Sequence, residues 1–397
     1  MNEEWKAYHP SNLLHTQEWI ARYKPGGYHP VILGDCLNDS RYTIYHKLGW
    51  GGYSTVWLAR DNRLRRWVSI KIITADSSQK SKELENLEIL AKKSQSGLLK
   101  NYIVEVFDHF FHKGPNGNHL CIVFELLGPT ISTVLQDYSD GGDRLDEDTI
   151  LKLTKQLLIA LAFIHKSGLV HGDISGRNIA FSCNRLSQLS EKDLFEVLGA
   201  PRVEDLVRID GAPLADGMPH QMVEAAKWDD WIDEDDEDLR ILDFGEAFHQ
   251  GSAPSKLSQP GNLQVPESIM TDHLDYRLDL WRAGLMIYSF VFTSIPFFYL
   301  GDNTALIMRM VQFVGGELPN EWRDKWERLV AERAQDSLAQ NGHQSESELD
   351  MRFDGVHEPA LKGLSETVKS LLRLNPSDRV SAQDALDLLP TNNTRNM

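Results

Sequence analysis

Cysteine is scarce in this chain, which contains three cysteines among its 397 residues. Cys36, Cys121 and Cys183 lack the spacing of a metal-binding motif, and an odd number cannot form a complete set of disulfides. This low content favours a reducing compartment. The segment Met1–Trp5 also lacks the charged and then apolar pattern of a secretory signal peptide. We therefore expect a cytoplasmic location, with the nucleus as an alternative.

Basic residues are in deficit, since 41 Lys and Arg face 58 Asp and Glu and give a formal net charge of −17 at pH 7. This charge disfavours direct binding to nucleic acids and favours basic partners, although an acidic surface that serves solubility alone has the same sign. Residues 279–300 are apolar enough to resemble a membrane span. Because Asp279, Arg282 and Pro296 interrupt them, we interpret this stretch as a buried core helix and expect no membrane partner.

Two apolar stretches end in residues suited to metal and hydroxyl binding. Residues 169–181 read LVHGDISGRNIAF, and residues 241–245 read ILDFG. The pattern predicts two short strands that present Asp173, Asn178 and Asp243 at their ends. The same residue types in the same order are typical of phosphoryl-transfer sites. There the first Asp orients the attacking hydroxyl, and the Asn and the second Asp bind Mg²⁺.

A glycine-rich turn lies upstream of these motifs. Residues 47–57 read KLGWGGYSTVW, and glycines in such a turn let backbone amides approach phosphate oxygens. Ser54 replaces the third glycine of the usual pattern, so an ordinary β-hairpin is the alternative. Lys71 ends the alternating strand at 67–71, which places its ammonium on the side of the glycine-rich turn. We therefore predict that Lys71 contacts phosphate.

The ion-pair partner of Lys71 is expected on a helix at about 80–93. Three acidic residues compete for this role: Glu83, Glu85 and Glu88. Alignment of the apolar residues 87–90 with the usual end of such a helix puts Asn86 at the partner position. We expect Glu85 on proximity alone. The alternative is that these acids form a solvated face balanced by neighbouring lysines.

Together the motifs resemble those of eukaryotic protein kinases, and the chain is most similar to the SR-protein-specific Ser/Thr kinases and their fungal-type relatives. The narrower resemblance rests on the glycine-rich turn and on the hinge string CIVFELLG at 121–128. It implies an α+β, bilobal protein-kinase fold, with an antiparallel sheet and one helix in the N-lobe and a mainly helical C-lobe. The implied organisation is an N-terminal extension at 1–41, the N-lobe at 42–124, the hinge at 125–128, the C-lobe at 129–389 with an insertion at about 182–237, and a tail at 390–397.

The resemblance also implies a cleft between the lobes that binds ATP with Mg²⁺. Asp173, Lys71, Asn178 and Asp243 would be the catalytic residues, and Asn178 and Asp243 would bind the metal. The residues expected to contact the nucleotide are Leu48, Gly49, Trp50, Gly51, Gly52, Tyr53, Ser54, Thr55, Val56, Lys71, Glu125 and Leu127. The expected partner is a protein substrate with Ser or Thr hydroxyls, in particular an Arg/Ser-rich one, and we expect the kinase to act as a monomer.

Further motifs resemble those of a kinase C-lobe. The string VPE at 265–267 matches the end of the activation segment, and Arg379 would form an ion pair with Glu267. Residues 279–284 match the start of the central buried helix. Within the insertion, residues 194–201 predict a short helix and turn, and residues 229–238 are strongly acidic. This acidic run either docks basic substrates or is merely solvated, and we favour solvation.

The chain departs from most Ser/Thr kinases at two positions that normally contact each other. Ser175 replaces the Lys that assists the transferred phosphoryl group, and Pro260 replaces the Thr that contacts this Lys. Loss of one such charge could slow transfer on the order of 10²-fold. Two alternatives therefore stay open: a pseudokinase scaffold that binds nucleotide or protein partners, and a small-molecule kinase with a similar loop at 171–173.

Overall fold

A computed structural model of the chain describes most of its residues. The described residues are 4–9, 14, 18–94, 102–183, 185–228, 231, 237–255, 257, 261–271, 273–299, 301–334 and 347–390. They form two compact units. The first unit comprises Met1–Leu84, Val104–Pro129 and Phe181–Glu237, and the second comprises Glu85–Ile103, Thr130–Ala180 and Asp238–Met397.

The secondary structure alternates between strands and helices in the first half of the chain and is mainly helical in the second. The strands are β1 Cys36–Leu37, β2 Tyr42–Gly51, β3 Ser54–Asp61, β4 Arg66–Ile73, β5 Val106–Gly114, β6 Gly117–Glu125, β7 Leu127–Thr130, β8 Leu169–Val170, β9 Ile179–Ser182, β10 Val203–Asp205, β11 Gln221–Val223, β12 Leu239–Ile241 and β13 Phe248–His249. The α-helices are α1 Ala75–Ser78, α2 Glu83–Lys93, α3 Ile131–Gly141, α4 Glu147–Lys166, α5 Glu191–Leu198, α6 Pro266–Met270, α7 Arg277–Phe292, α8 Asn303–Val314, α9 Arg323–Ala334, α10 Glu348–Asp354, α11 Pro359–Leu371 and α12 Ala382–Asp387. Short 3-10 helices lie at Glu4–Ala7, Ile20–Arg22, Leu186–Gln188, Phe244–Glu246, Gly261–Leu263, Asn320–Trp322 and Pro376–Asp378.

An antiparallel sheet forms the centre of the first unit. Its strands follow the order β1-β2-β3-β4-β6-β5, and each neighbouring pair is antiparallel. The strands are rich in β-branched and aromatic residues, which pack well on a pleated surface. Buried side chains of β2, β3, β4 and β6 form the main core of this unit, including Tyr42, Trp57, Ile70 and Val123.

The insertion packs against this sheet. Although it lies within the range expected for the C-lobe, its apolar side chains belong to the first unit. Leu194 and Leu198 of α5 and the nearby Trp228 share a buried cluster with Leu58 and Trp67 of the sheet. The short helix predicted at 194–201 is thus confirmed as α5, although it begins earlier, at Glu191. Most of the acidic run at 229–238 lies outside the described residues.

A buried charge links three parts of the first unit. The Lys47 ammonium on β2 forms an ion pair with Glu18, and it donates a hydrogen bond to the carbonyl of Val223 at 3.0 Å. Burial lowers the pKa of Lys47, and the charge of Glu18 and its hydrogen bond oppose that shift. Because a buried ammonium without partners is costly, these contacts hold the N-terminal extension and the insertion against the sheet.

Helix α7 runs through the core of the second unit. Residues 278–291 are all buried, which confirms the core helix expected at 279–300, although the helix ends at Phe292. Helices α4 and α11 pack against it. Within the described ranges, no helix combines the length and the apolar character that a membrane crossing needs.

Replacing Leu194 with Ala should lower the free energy of unfolding by about 2–5 kcal/mol, because it empties part of a buried cluster. Urea denaturation followed by tryptophan fluorescence measures the change. The control is Glu196→Ala on the exposed face of the same helix, which should change stability by less than about 0.5 kcal/mol. Equal effects of the two substitutions would contradict the docking of α5.

Candidate active site

The loop that carries Asp173 is held by a buried carboxylate at the start of α7. Asp279 Oδ2 accepts hydrogen bonds from the His171 backbone N–H at 2.8 Å and lies 3.1 Å from His165 Nε2, while Oδ1 accepts from the Gly172 N–H at 2.9 Å. Burial opposes ionisation of Asp279, but the hydrogen bond and charge of His165 outweigh it, so the pKa of Asp279 lies below its ordinary value. The carboxylate therefore stays charged and keeps the loop in place.

Gly172 is required at its position by two constraints. Its φ is +81°, a left-handed conformation that side chains disfavour, and an added Cβ would lie 2.7 Å from the carbonyl oxygen of Glu246. His171 next to it connects two segments, since its Nδ1 accepts the Asp173 N–H at 3.1 Å and its Nε2 lies 3.1 Å from the Leu242 carbonyl. The proton is therefore on Nε2, which donates to Leu242.

Asp173 and Asn178, which are five residues apart in one loop, are in direct contact. The Asn178 amide Nδ2 donates to the Asp173 backbone carbonyl and to its Oδ2, both at 2.8 Å. This leaves Asn178 Oδ1 as the remaining side-chain acceptor of the amide. The Asp173 carboxylate is partly exposed, whereas Asn178 is buried. The Asp173 carboxylate is thus accessible to a substrate hydroxyl, and the buried Asn178 amide orients this carboxylate from the protein interior.

Asp173 has a second partner that the sequence motifs do not predict. Arg282 of α7 donates from Nη1 to Asp173 Oδ1 at 2.9 Å, and its side chain is 1% exposed. The two oxygens of Asp173 are therefore held by two different groups, one on each side. Since each oxygen has two lone pairs, the carboxylate keeps capacity to accept a further hydrogen bond.

The segment that carries Asp243 lies beside the Asp173 loop and is bound to it by a backbone hydrogen bond. The Leu242 N–H donates to the Asn178 carbonyl at 3.0 Å, so the segments that carry the two predicted Mg²⁺ ligands are adjacent. Asp243 has a φ of 61°, which is unusual for a residue other than glycine and is often found at functional sites. Phe244 is buried against the His171 ring, and Asn86 Nδ2 donates to the Phe244 carbonyl at 3.2 Å.

These residues suit a magnesium ion that is also bound by phosphate. Mg²⁺ prefers oxygen ligands and is usually held in proteins by one or two carboxylates together with substrate phosphates and water. Asn178 Oδ1 and the Asp243 carboxylate are such ligands. Among the described residues, no cluster of three or more His, Cys, Asp or Glu could hold a metal by itself. The donor set therefore fits Mg²⁺ that is shared with a nucleotide.

In the first unit, the glycine-rich turn is a tight hairpin between β2 and β3. Gly51 pairs with Ser54, so Gly52 and Tyr53 form the two-residue turn. A Cβ added at Gly49, Gly51 or Gly52 would meet no other atom within 4 Å. Packing within the protein therefore does not explain these glycines, and the space around them is open, as the predicted approach of a phosphate requires.

The N-terminal extension holds the tip of this hairpin. The Tyr28 hydroxyl donates to the Gly51 carbonyl at 2.7 Å, and Arg22 donates to the Gly52 carbonyl. The Arg22 guanidinium also lies over the Tyr28 and Tyr53 rings. The sequence motifs do not predict the contacts of Arg22 and Tyr28 with the hairpin, because each joins residues that are more than 20 positions apart.

Lys71 forms an ion pair with Glu83, and the prediction of Glu85 is wrong. Lys71 Nζ lies 2.8 Å from Glu83 Oε1 and 2.7 Å from Oε2, and Glu83 is buried. Glu83 is the first residue of α2, so Asn86, three residues later, shares its buried face. Glu85 is about 200° around the helix from Glu83 and is exposed. Glu88 also faces solvent, near Lys92.

The remaining residues that the sequence predicts to contact the nucleotide lie at the end of β6 and the start of β7. Phe124 is buried, and the Glu125 carbonyl accepts a hydrogen bond from the Ser69 hydroxyl at 3.1 Å. Leu127 begins β7. The Glu125 side chain accepts the Glu105 N–H at 2.9 Å, which fixes this segment in the first unit.

The ion pair predicted between Glu267 and Arg379 is confirmed. Arg379 Nη1 and Nη2 donate to Glu267 Oε1 and Oε2, both at 2.7 Å, and both side chains are almost fully buried. The guanidinium also donates to the carbonyls of Arg277 and Arg373. This bidentate pair holds the start of α6 against the core of the second unit.

The sequence matches the family model of the protein kinase domain over residues 42–190. This match includes the glycine-rich hairpin, Lys71, Glu83, Asp173 and Asn178. This region is therefore similar to a protein kinase domain. A crystal structure of a kinase domain also resembles the chain, with a TM-score of 0.63 and 18% identity over 90% of this chain and 97% of that one. The predicted kinase fold, with its antiparallel N-lobe sheet and helical C-lobe, is thereby confirmed.

Among known proteins, the kinase domain is similar to SR-protein kinases and their relatives. Protein kinase dsk1 of Schizosaccharomyces pombe is 37% identical over 161 residues, which cover 40% of this chain and 29% of that protein. Serine/threonine-protein kinase SKY1 of Saccharomyces cerevisiae is 36% identical over 171 residues, with coverage of 41% and 23%. Serine/threonine-protein kinase SRPK of Physarum polycephalum is 25% identical over 401 residues, with coverage of 92% and 89%. The chain thus spans less than a third of the length of the first two relatives.

The kinase domain contains three residues whose importance the sequence analysis underrated. Glu83 was one of several candidates, and Asp279 and Arg282 served only to mark the core helix and to argue against a membrane span. The signal for Asp279 and Arg282 was a charge within an otherwise apolar helix, because such charges are rarely buried without a specific partner.

Pro260, the second departure from the kinase pattern, lies outside the described residues, whereas Ser175 is buried in the loop after Asp173.

Replacing Glu267 with Gln in this kinase domain should lower the free energy of unfolding by about 3–5 kcal/mol, because it leaves the Arg379 guanidinium buried without its counter-charge. Differential scanning calorimetry or urea denaturation measures the loss. As a matched control, Glu348→Gln removes the charge of another bidentate pair, with the partly exposed Arg309, and should cost less than about 1 kcal/mol. A smaller effect at Glu267 than at Glu348 would refute the role of the buried pair.

Proposed function

We propose that this chain is a protein serine/threonine kinase that transfers the γ-phosphoryl group of Mg-ATP to the hydroxyl of a Ser or Thr side chain. The observation that carries the proposal is the arrangement of Asp173. Its carboxylate is partly exposed, is oriented by Asn178 and Arg282, and lies in a loop adjacent to the segment of Asp243. This is the arrangement that general-base assistance to a hydroxyl needs.

In the proposed reaction, the substrate oxygen attacks the γ-phosphorus while Asp173 accepts the hydroxyl proton. A bond forms between this oxygen and phosphorus, and the bond from phosphorus to the β,γ-bridging oxygen breaks. ADP leaves with the electron pair of that bond. Mg²⁺, when bound, offsets the charge on the phosphate oxygens. Asn178 Oδ1 and Asp243 are the residues that would hold it.

Residues of the first unit are proposed to bind the nucleotide. The Lys71 ammonium is oriented by Glu83 and suits a phosphate oxygen, as in the kinase family. The hairpin from Leu48 to Val56 offers backbone amides, with glycines that packing does not require. Glu125 and Leu127 are proposed to contact the adenine ring through their backbone groups.

Basic protein segments rich in Arg and Ser are the proposed substrate class. The net charge of −17 attracts such segments, and relatives of the chain include SRPK of Physarum polycephalum and SRSF protein kinase 3 of Homo sapiens.

Ser175 favours one alternative, a scaffold that binds nucleotide without efficient transfer, because the Lys usual at this position is missing. Measurement of turnover distinguishes these two functions.

Transfer of labelled γ-phosphate to Arg/Ser peptides should depend on Mg²⁺ and on two acidic residues, Asp173 and Asp243. Asp173→Asn removes the proton acceptor and should lower kcat by about 10²–10⁴-fold. Asp243→Asn should abolish Mg²⁺-dependent transfer, and so should chelation of the metal. Asp324→Asn, on the exposed face of α9, is the control and should leave kcat unchanged.

A panel of Arg/Ser peptides, neutral Ser peptides and small alcohols identifies the acceptor. Preference for Arg/Ser peptides supports the proposed substrate class, and transfer only to a small alcohol would instead indicate a small-molecule kinase. Folded wild-type protein that transfers no more phosphate than Asp173→Asn would refute the proposed function and favour the scaffold.

The two glutamates of α2 provide a second test. Glu83→Gln should reduce kcat/KM on the order of 10²-fold, because Lys71 loses the carboxylate that positions it. Glu85→Gln makes the same chemical change on the exposed face of the helix and should leave kcat/KM unchanged. Steady-state kinetics with varied ATP measure both variants. The proposal for Lys71 is wrong if the two substitutions have the same effect.

A further inference from the structure

Arg282 places a full positive charge inside an apolar helix. Its neighbours in α7, Trp281 and Ala283, are fully buried, and Arg282 itself is 1% exposed. Burial of a guanidinium is costly unless charged and hydrogen-bonding partners compensate for lost water. A hydrophobic residue would serve the packing of α7 better. The charge at this position therefore calls for an explanation beyond packing.

The guanidinium bonds two functional segments of the second unit. Nη1 donates to Asp173 Oδ1 at 2.9 Å and to the Ile174 carbonyl at 3.3 Å. Nη2 donates to the Leu263 carbonyl at 2.6 Å. Leu263 ends the short helix just before the segment Val265–Glu267. Arg282 thus connects the loop of Asp173 with the chain that leads into α6.

Asp173 is the acidic partner of Arg282, because the other nearby carboxylates are engaged elsewhere. Asp279, three residues earlier in α7, accepts from the backbone of His171 and Gly172 and contacts His165. Glu267 forms its bidentate pair with Arg379. Burial lowers the pKa of Arg282, and the charge of Asp173 is the main opposing influence. The charge of Arg282 is thus directed at the predicted proton acceptor.

Arg282 connects the same two segments as a pair of kinase residues that this chain lacks. Most Ser/Thr kinases carry a Lys at the position of Ser175 and a Thr at the position of Pro260, and that pair connects the catalytic loop with the substrate-side segment. Here the guanidinium of Arg282 bonds Ile174, directly before Ser175, and Leu263, three residues after Pro260. One buried Arg therefore makes a connection that otherwise needs two residues.

We propose that Arg282 is a positioning residue that replaces the missing loop Lys: it holds the Asp173 carboxylate in place, supplies positive charge beneath it, and fixes the substrate-side segment. This inference rests on the proposed kinase function and adds to it the residue that compensates for Ser175. Arg282 acts through Asp173 and touches neither nucleotide nor acceptor. Its loss should therefore lower kcat and leave the KM for ATP unchanged.

Four variants test the proposal through transfer to an Arg/Ser peptide: Arg282→Met, Arg282→Lys, Ser175→Lys and the double variant Ser175→Lys/Arg282→Met. Arg282→Met should lower kcat on the order of 10²-fold, because one preorganised charge is lost. Arg282→Lys keeps the charge without the fork of the guanidinium and should retain an intermediate kcat. Unchanged kcat in Arg282→Met would overturn the proposal.

The Lys at position 175 gives the sharper result, because its effect should depend on the residue at 282. In the wild-type background, Ser175→Lys adds a second cation beside Arg282 and should not raise kcat. In the Arg282→Met background, the same change should restore part of the lost activity. An equal effect of Ser175→Lys in both backgrounds would overturn the replacement of one charge by the other.

Stability measurements separate positioning from misfolding. The losses of Tm in Arg282→Met and Asp173→Asn should sum to more than the loss in a variant that carries both changes, Asp173→Asn/Arg282→Met, because the two residues are partners. Additive losses would overturn the contact. Arg309→Met, which breaks the ion pair with Glu348, is the matched control and should leave kcat unchanged. If Arg282→Met does not fold, Arg282→Lys decides: a kcat below that of the wild type supports the proposal, and an unchanged kcat would overturn it.

The outcome for the proposed function remains distinct from the outcome for Arg282. Absence of transfer by the folded wild-type protein refutes the kinase function, and the role of Arg282 with it. Transfer by the wild type that continues with the same kcat in folded Arg282→Met refutes the role of Arg282 alone.

Discussion

The catalytic loop depends on the hydrogen bonds that the buried Asp279 carboxylate accepts from its backbone. This carboxylate accepts the backbone N–H groups of His171 and Gly172, and these two bonds orient the turn that carries Asp173. A charged acceptor in a low-dielectric core makes strong hydrogen bonds, and an unpaired one would be costly, so the helix and the loop stabilise each other. The His171 side chain also bonds the carbonyl of Leu242, the residue before Asp243, and so connects the loop with that segment.

Helix α7 supports the loop with charges of both signs. Asp279 and Arg282 are three residues apart, so they lie on one face of the helix. The carboxylate binds the loop backbone, and the guanidinium binds the Asp173 side chain. In most Ser/Thr kinases the cation in this place comes from the loop itself. Here it comes from the core, where packing restricts its rotamers and leaves it little freedom to lose.

The first unit combines the kinase sheet with two added segments. The insertion buries Leu194 and Leu198 against strand residues, and the extension contributes Glu18 to the pair with Lys47. Both additions place apolar surface in a core and satisfy a buried charge. They are therefore structural parts of this unit, and the extension also holds the hairpin tip through Arg22 and Tyr28.

The sequence by itself determined the fold family and the short-range parts of the site. Asp173 and Asn178 are five residues apart in one loop, and the glycine hairpin is local, so their geometry follows from spacing. The ion pair of Glu267 with Arg379 was also predictable, through the kinase resemblance. The choice of Glu83 over Glu85 depended on the residue at which α2 begins, and a shift of two residues turns a helix face by about 200°. The contact of Arg282 with Asp173 joins residues 109 positions apart, and only the packing of α7 against the loop decided it. The tertiary structure decides such contacts because the partner of a buried charge is set by three-dimensional proximity, which no local pattern encodes.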